Sequence, residues 1–255
     1  MKNSDNHLQS VDKQFGEQAQ TYLNSAVHAQ GADLQALAQR LQGKSTANVL
    51  DLGCGAGHVS FTVAPNVAHV VAYDLSPRML ETVSSAAKDK GLDNISTRQG
   101  VAESLPFDDA SMDVVISRYS AHHWQDVGQA LREVKRVLKP GGEAIFIDVV
   151  SPGHPVLDVY LQTVEILRDT SHVRDYTPGE WLTFFTEAGF KVVSVSCSRL
   201  HLEFSSWITR MRTPEYFVTA IRELQRDASA EVKRHFAIED DGSFSSDMAT
   251  LIVRC

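Results

Sequence analysis

Residues 49–60, VLDLGCGAGHVS, restrict the fold more than any other stretch of the chain. A run apolar except for Asp51, Val49 to Leu52, leads into three glycines at spacing two, Gly53, Gly55 and Gly57, and a helix-like run leads out. Glycine is needed where the backbone must take positive φ or approach a ligand with no Cβ in the way. A strand turning through such a loop into a helix presents free N–H groups to a polar or anionic group. The stretch therefore predicts a strand–loop–helix unit cradling a nucleotide-derived ligand; the plainer reading is a tight turn with no ligand. Its spacing narrows the ligand. A dinucleotide fingerprint, G-x-G-x-x-G, needs glycine where His58 stands. A phosphate-binding loop needs Gly-Lys-Ser/Thr, which is missing, so the loop argues against both NAD and ATP.

The surrounding pattern extends that unit into a fold. From about Ala47 to Val150, the runs NVLDL, HVVAYDL, NISTR, MDVVIS and EAIFIDVV alternate with helical spacing. Such uniformly apolar runs are expected to be strands buried on both faces of a parallel sheet. Ser76-Pro77 followed by Met79, Leu80 and Val83 predicts an N-capped helix. Val127 to Leu138 predicts another, stopped by Lys139-Pro140-Gly141-Gly142. Strand–helix alternation of this kind means an α/β fold with a doubly wound sheet.

Outside this core, Val11 to Leu41 is expected to be helical, in pieces Gln14–Leu23 and Asp33–Leu41 around Gly31. Beyond it, helices are expected over Val156–Arg168 and Pro178–Ala188, and strands over Lys191–Ser198 and Met248–Val253. Between those strands, about Phe204 to Phe236 forms an amphipathic helical insert divided at Pro214. The expected parts are thus a helical lid (residues 1–42), a ligand-binding core (43–150) and a C-terminal part (151–255). The last completes the sheet and carries the insert, about 204–236, as a substrate cap.

Charge and cysteine usage bound the partners. With 24 basic and 32 acidic residues the formal net charge is −8, a poor match to phosphate backbones, so no nucleic-acid partner is expected. The polar start MKNSDNHLQS does not predict a signal peptide, and no run approaches the length of a membrane span. Cys54, Cys197 and Cys255 are scattered and suit a reducing, cytoplasmic setting; no spacing suggests a metal site. Cys54, inside the glycine loop, is expected to pack rather than react.

Asp74 closes the second strand, 17 residues beyond Gly57. A carboxylate there can accept hydrogen bonds from both hydroxyls of a ribose, although an Asp before Ser-Pro can also cap a helix.

Val49–Gly57, Asp74, GVAESLPF (Gly100–Phe107), Asp113–Ser117 and RVLKPGG (Arg136–Gly142), in this order, resemble class I S-adenosylmethionine-dependent methyltransferases. The likeness is to the methyltransferase type 11 branch, the ubiquinone/menaquinone-biosynthesis-like one. It covers about Val49 to Val150 and continues more weakly through PVLDVY, RDTSHVRDY and SSWITRMRTP. It implies a Rossmann-like fold with a seven-stranded, mostly parallel sheet. It also implies S-adenosyl-L-methionine as cofactor, S-adenosyl-L-homocysteine as product, and no metal. By this resemblance Gly53, Gly55 and Gly57 line the methionine moiety and ribose, and Asp74 takes the ribose hydroxyls. Leu75 and Met79 flank the adenine and Ala102 offers its backbone N–H. Val101 stands where relatives often carry an acidic residue for the adenine amino group; Glu103 or water can substitute. Ser117 and Tyr119 border the methionine and the transferring methyl, and Tyr22, on the lid, can reach the same end or simply pack.

Methyl transfer is an in-line displacement in which the protein mainly holds the reactants in position, so no catalytic triad is required and none is visible. SRYSAHHWQD, Ser117 to Asp126, follows the fourth strand and supplies the catalytic candidates His122 and Tyr119. Of the adjacent His122 and His123, one can face the site as base or substrate partner; the plainer reading makes both solvent or capping residues. Trp124 is expected in the core, and His28 is a weaker candidate than Tyr22. Arg168, His172, Arg174, Trp207 and Arg210 are substrate-binding candidates, ion-paired surface positions being the alternative. The expected activity is methylation of a small molecule, quinol-like, phenolic or a small acid. A non-catalytic cofactor binder, an RNA or protein methyltransferase and, least favoured, an NAD oxidoreductase are the alternatives.

Overall fold

A computed structural model of the protein describes residues 2–16, 18, 19, 23 and 31–255. Its strands are β1 (Asn48–Leu52), β2 (His69–Asp74), β3 (Ile95–Gln99), β4 (Met112–Arg118), β5 (Leu138–Val149), β6 (Lys191–Leu202) and β7 (Phe244–Arg254). They form one sheet in the order β3-β2-β1-β4-β5-β7-β6. The first five strands are parallel, and β7 runs antiparallel to both β5 and β6. The expected seven-stranded, doubly wound architecture is present. The order reverses between β1 and β4, the point in such sheets where ligands bind beyond the strand ends.

Alternation along the central strands sorts side chains into two layers. Val49, Val114, Ile116, Ile145 and Ile147 face α2 (Ala32–Arg40) and α3 (His58–Val63). Leu50, Leu52, Val115, Ala144 and Phe146 face α5 (Val127–Val137) and α7 (Pro178–Glu187). Between β2 and β3 runs α4 (Pro77–Asp89), which buries Leu80 and Val83 against Ala72. A third cluster lies in the C-terminal part. There Tyr160 and Leu161 of α6 (Pro155–Arg168) pack on Trp207, Ile221 and Phe236. These three come from α8 (Phe204–Met211), α9 (Glu215–Asp227) and the residue just past α10 (Ala230–His235).

Several expectations change. The run NISTR is not buried on both faces: it becomes β3, an edge strand exposed along Ser96–Gln99, because its side chains are polar. Lys139-Pro140-Gly141-Gly142 does not end the helix in a loop. Strand β5 starts at Leu138, and these residues are absorbed in a register shift between the pairs Met112↔Leu138 and Val114↔Glu143. Ser76 holds the N-cap position of α4 without a side-chain cap bond. The first helix, α1, spans Lys2–Gly16, earlier than the expected Gln14–Leu23. The insert is three helices, with breaks near Pro214 and Ala228. No helix among the described residues is long and apolar enough to cross a membrane.

Candidate functional site

The glycine loop after β1 takes the backbone that its sequence requires. Gly53, Gly55 and Gly57 all have positive φ, +71°, +50° and +88°. A Cβ on Gly53 would lie 1.9 Å from Ser120 Oγ, so that position is closed by protein. A Cβ on Gly55 would meet nothing within 4 Å. Gly55→Ala is therefore expected to fold, lose about 1–2 kcal/mol to the left-handed backbone, and place a methyl in the cavity the loop borders. Thermal unfolding together with titration of S-adenosylhomocysteine checks both effects.

That cavity, of about 150 Å³, opens at the carboxyl ends of β1, β2 and β4. Asp74 stands on its wall. Its Oδ2 accepts from the Gly55 N–H at 2.8 Å and its Oδ1 from the Ser76 N–H at 2.9 Å. The carboxylate thus ties the glycine loop to the residue before α4; it reaches no first-turn amide of that helix, so it does not act as the helix cap that was the alternative. Each oxygen keeps acceptor capacity for one hydroxyl of a diol. Burial pushes the Asp74 carboxyl above its ordinary value, opposed by these two amides. Leu75, Met79, Val101 and Ala102 line the same cavity, with Leu8, Val11 and Phe15 of α1 opposite as an apolar cover. An acceptor pair, an apolar slot and the open space beside Gly55 suit a ribose, a purine ring and a thioether chain. The residues present thus fit the nucleoside cofactor expected from sequence.

Glu103 also lines this cavity, but its Oε1 accepts from the backbone N–H groups of Gln125 and Asp126 at 2.9 and 3.2 Å. Its free contact with a ligand is confined to the other oxygen. Asp51 accepts from Ser60 N–H and Oγ–H at 2.9 and 2.6 Å, and burial pushes its carboxyl up to about 7. Burial holds the Cys54 thiol well above its usual range, which suits packing and not nucleophilic attack. Trp124 is both core and cavity wall, its indole N–H donating to Ser120 Oγ at 3.2 Å.

A second, smaller cavity of about 80 Å³ adjoins the first. Phe15, Tyr119 and His123 line both. Tyr119 has φ +53°, an unfavourable conformation for an aromatic residue, of the kind that collects at functional sites. Its hydroxyl donates to Met248 Sδ at 2.8 Å and is pushed up to about 12 by burial, which argues against a proton-transfer role.

The two histidines differ. His122 Nδ1 lies 2.6 Å from Asp148 Oδ1. Burial disfavours the imidazolium, but Asp148, by charge and hydrogen bond, raises the His122 pKa to about 9. Asp148 is itself fixed by the N–H groups of Ala121 and Val149, both at 2.9 Å. His123 donates from Nδ1 to Ser171 O at 3.1 Å, and burial with the neighbouring His122 charge pushes it down to about 4. His122 is thus a cation at neutral pH and His123 a neutral ring of fixed tautomer.

Of the other sequence candidates, Arg168, Trp207 and Arg210 line the second cavity. His172 and Arg174 line neither: His172 Nε2 bonds Gln162 Oε1 at 3.0 Å, and Arg174 pairs with Asp158 and Glu180, both at 3.3 Å. Ser117 is buried in β4 away from both linings. Tyr22 and His28 lie outside the described residues. Sequence reasoning missed Arg118, Asp148, Glu165 and Asp175. Arg118, on the first cavity, bonds Asp33 of α2 at 2.5 Å and stacks on Tyr119. The available signal was a charge inside an otherwise apolar run, as in MDVVISR and EAIFIDVV.

Comparison with known proteins identifies the family. Residues 50–146 match the family described as Methyltransferase domain, type 11. The uncharacterized protein YafE of Escherichia coli K12 is 60% identical over 196 residues, 77% of this chain and 95% of its own. The uncharacterized methyltransferase YcgJ of Bacillus subtilis is 37% identical over 224 residues, 88% of each chain. The YcgJ crystal structure has a TM-score of 0.83 over 87% of this chain and 97% of that one, at 34% identity. A demethylmenaquinone methyltransferase of Lactococcus lactis is 37% identical over 122 residues, 47% of each chain. A type 11 motif set on a seven-stranded sheet, and a likeness to YcgJ along nearly the whole length, lead to one assignment: the chain belongs to the S-adenosylmethionine-dependent methyltransferases.

Proposed function

We propose that the protein binds S-adenosylmethionine in the first cavity and methylates a small-molecule acceptor in the second. One observation carries this reading: Gly55 leaves open space beside the cavity while its N–H orients the Asp74 carboxylate. In this reading Asp74 holds the ribose hydroxyls, and Gly53 and Gly55 border the ribose and methionine chain; Gly57, expected from sequence to do the same, lines neither cavity and packs against Phe61 and Val83. Leu75, Met79, Val101 and Ala102 enclose the adenine. Phe15 and the rest of α1 exclude water, tied down by His7 Nε2 to His123 O at 3.1 Å and Gln14 Nε2 to Met211 O at 2.7 Å. When bound, the cofactor supplies a methyl group on a sulfonium sulfur. The protein's contribution is position: Tyr119 and His123, on the shared wall, fix where an acceptor meets that group. His122 already carries a proton at neutral pH, so its assigned part is to donate a hydrogen bond and positive charge, and not to act as a base.

The test is a thermal-shift comparison. S-adenosylmethionine and S-adenosylhomocysteine are expected to raise the melting temperature and NAD is not. Equal shifts, or none, would sink the cofactor assignment. Binding with no methyl transfer from labelled donor to any quinol, phenol or small acid would favour a non-catalytic binder.

A further inference from the structure

The second cavity is small, and its walls carry an unusual density of buried ionisable groups. His122, Glu165, Arg168, Asp175 and Arg210 all line it. Arg168 is held in place by three contacts. Its Nε donates to Trp207 O at 3.0 Å, its guanidinium stacks on the Trp207 ring, and its Nη1 lies 3.4 Å from Glu165 Oε2. The His122 imidazolium is fixed by Asp148. Asp175 is 1% exposed, and its Oδ2 has no hydrogen-bond partner among the described residues; the nearest base, His172 Nε2, is 3.9 Å away. A buried carboxyl oxygen left without a donor is costly, and a ligand that brings an N–H or O–H removes that cost.

We infer that this cavity receives a small carboxylic acid bearing a hydroxyl or amino group, its carboxylate toward Arg168, Arg210 and His122 and its donor toward Asp175. The inference rests on the proposed cofactor reading and names the acceptor class for the same site. An isoprenoid quinol fits poorly: its apolar body would bury the Asp175 oxygen without bringing it a donor. Most of this lining, Val149 through Arg210, also lies outside the matched residues 50–146, so the family resemblance leaves this cavity unassigned.

The experiment has two stages on the full chain. Calorimetry first measures S-adenosylhomocysteine binding. The complex is then titrated with lactate, malate, serine and aspartate, with the amides of lactate and serine, and with 1,4-naphthoquinol. At least one acid is expected to bind and raise the melting temperature, its amide at least tenfold weaker. Asp175→Asn and Arg210→Gln are each expected to weaken the acid tenfold or more and leave S-adenosylhomocysteine affinity unchanged. Should either variant fail to fold, the acid–amide comparison on the natural chain decides. No acid binding, or amide or naphthoquinol binding as tightly, overturns the acceptor class and leaves the cofactor reading standing. Failure of S-adenosylhomocysteine to bind overturns both.

Discussion

Asp148→Ala is expected to lower stability by about 3–5 kcal/mol at neutral pH, the range found when one partner of a buried ion pair is removed. The Asp148 carboxylate serves three groups at once: the His122 ring and the N–H groups of Ala121 and Val149. Its loss leaves two buried amides without an acceptor and His122 without its counter-charge. Asp148→Asn keeps the shape and one acceptor oxygen and is expected to lose less. The pH dependence has a definite sign. His122 has a folded pKa of about 9 against the ordinary 6.5, so the stability it contributes is fully present below about 6.5. That contribution is lost as pH rises through about 9, and on the order of 3 kcal/mol is at stake. The groups facing His122 are the neighbouring His123, Asp148 on β5, Glu165 on α6, and His172 and Asp175 between α6 and α7. Urea unfolding between pH 6 and pH 9.5 checks this (roughly the window set by the two pKa values). The natural chain is expected to weaken across that range and Asp148→Asn to show a flatter profile; parallel profiles would contradict the pairing.

Asp74→Ala is expected to weaken S-adenosylhomocysteine binding by about 1–3 kcal/mol, roughly five- to 150-fold, through lost hydrogen bonds. The structure adds a second effect. Because Asp74 also accepts from Gly55 and Ser76, its removal loosens the glycine loop and lowers the melting temperature. Asp74→Asn separates the two. Its single carbonyl oxygen can keep one amide, so it should recover part of the stability and little of the affinity. Calorimetry on both variants, each shown to be folded by circular dichroism, is the measurement; unchanged affinity in a folded Asp74→Ala protein would contradict the ribose role.

Much of the fold was legible because local signals and long-range packing agree. Val49, Leu50 and Leu52, with Val114 to Ile116, are apolar and lie in the middle of the sheet, where apolar runs belong. The glycine loop was legible because positive φ leaves a compositional trace. NISTR misled because period and propensity do not say whether a strand lies at an edge, and its polar side chains do. The second cavity was only half visible. Arg168, Trp207 and Arg210 stand out as residue types, but Asp148 meets His122 across 26 positions and Asp33 meets Arg118 across 85. Such pairings come from topology, and no local pattern encodes them. Arg174 looked equivalent to Arg168 in sequence, yet one faces a cavity and the other joins a surface ion-pair network.

Phe15 belongs to the walls of both cavities, and its ring packs edge-on against His123, with centroids 4.9 Å apart. Moving α1 aside unseals the two compartments together, so neither occupant has a private exit on that side. Under the proposed function, a displacement of α1 is expected to open the cofactor and acceptor compartments at once. The hydrogen bond from Gln14 to Met211 O at 2.7 Å is then a latch shared by both compartments.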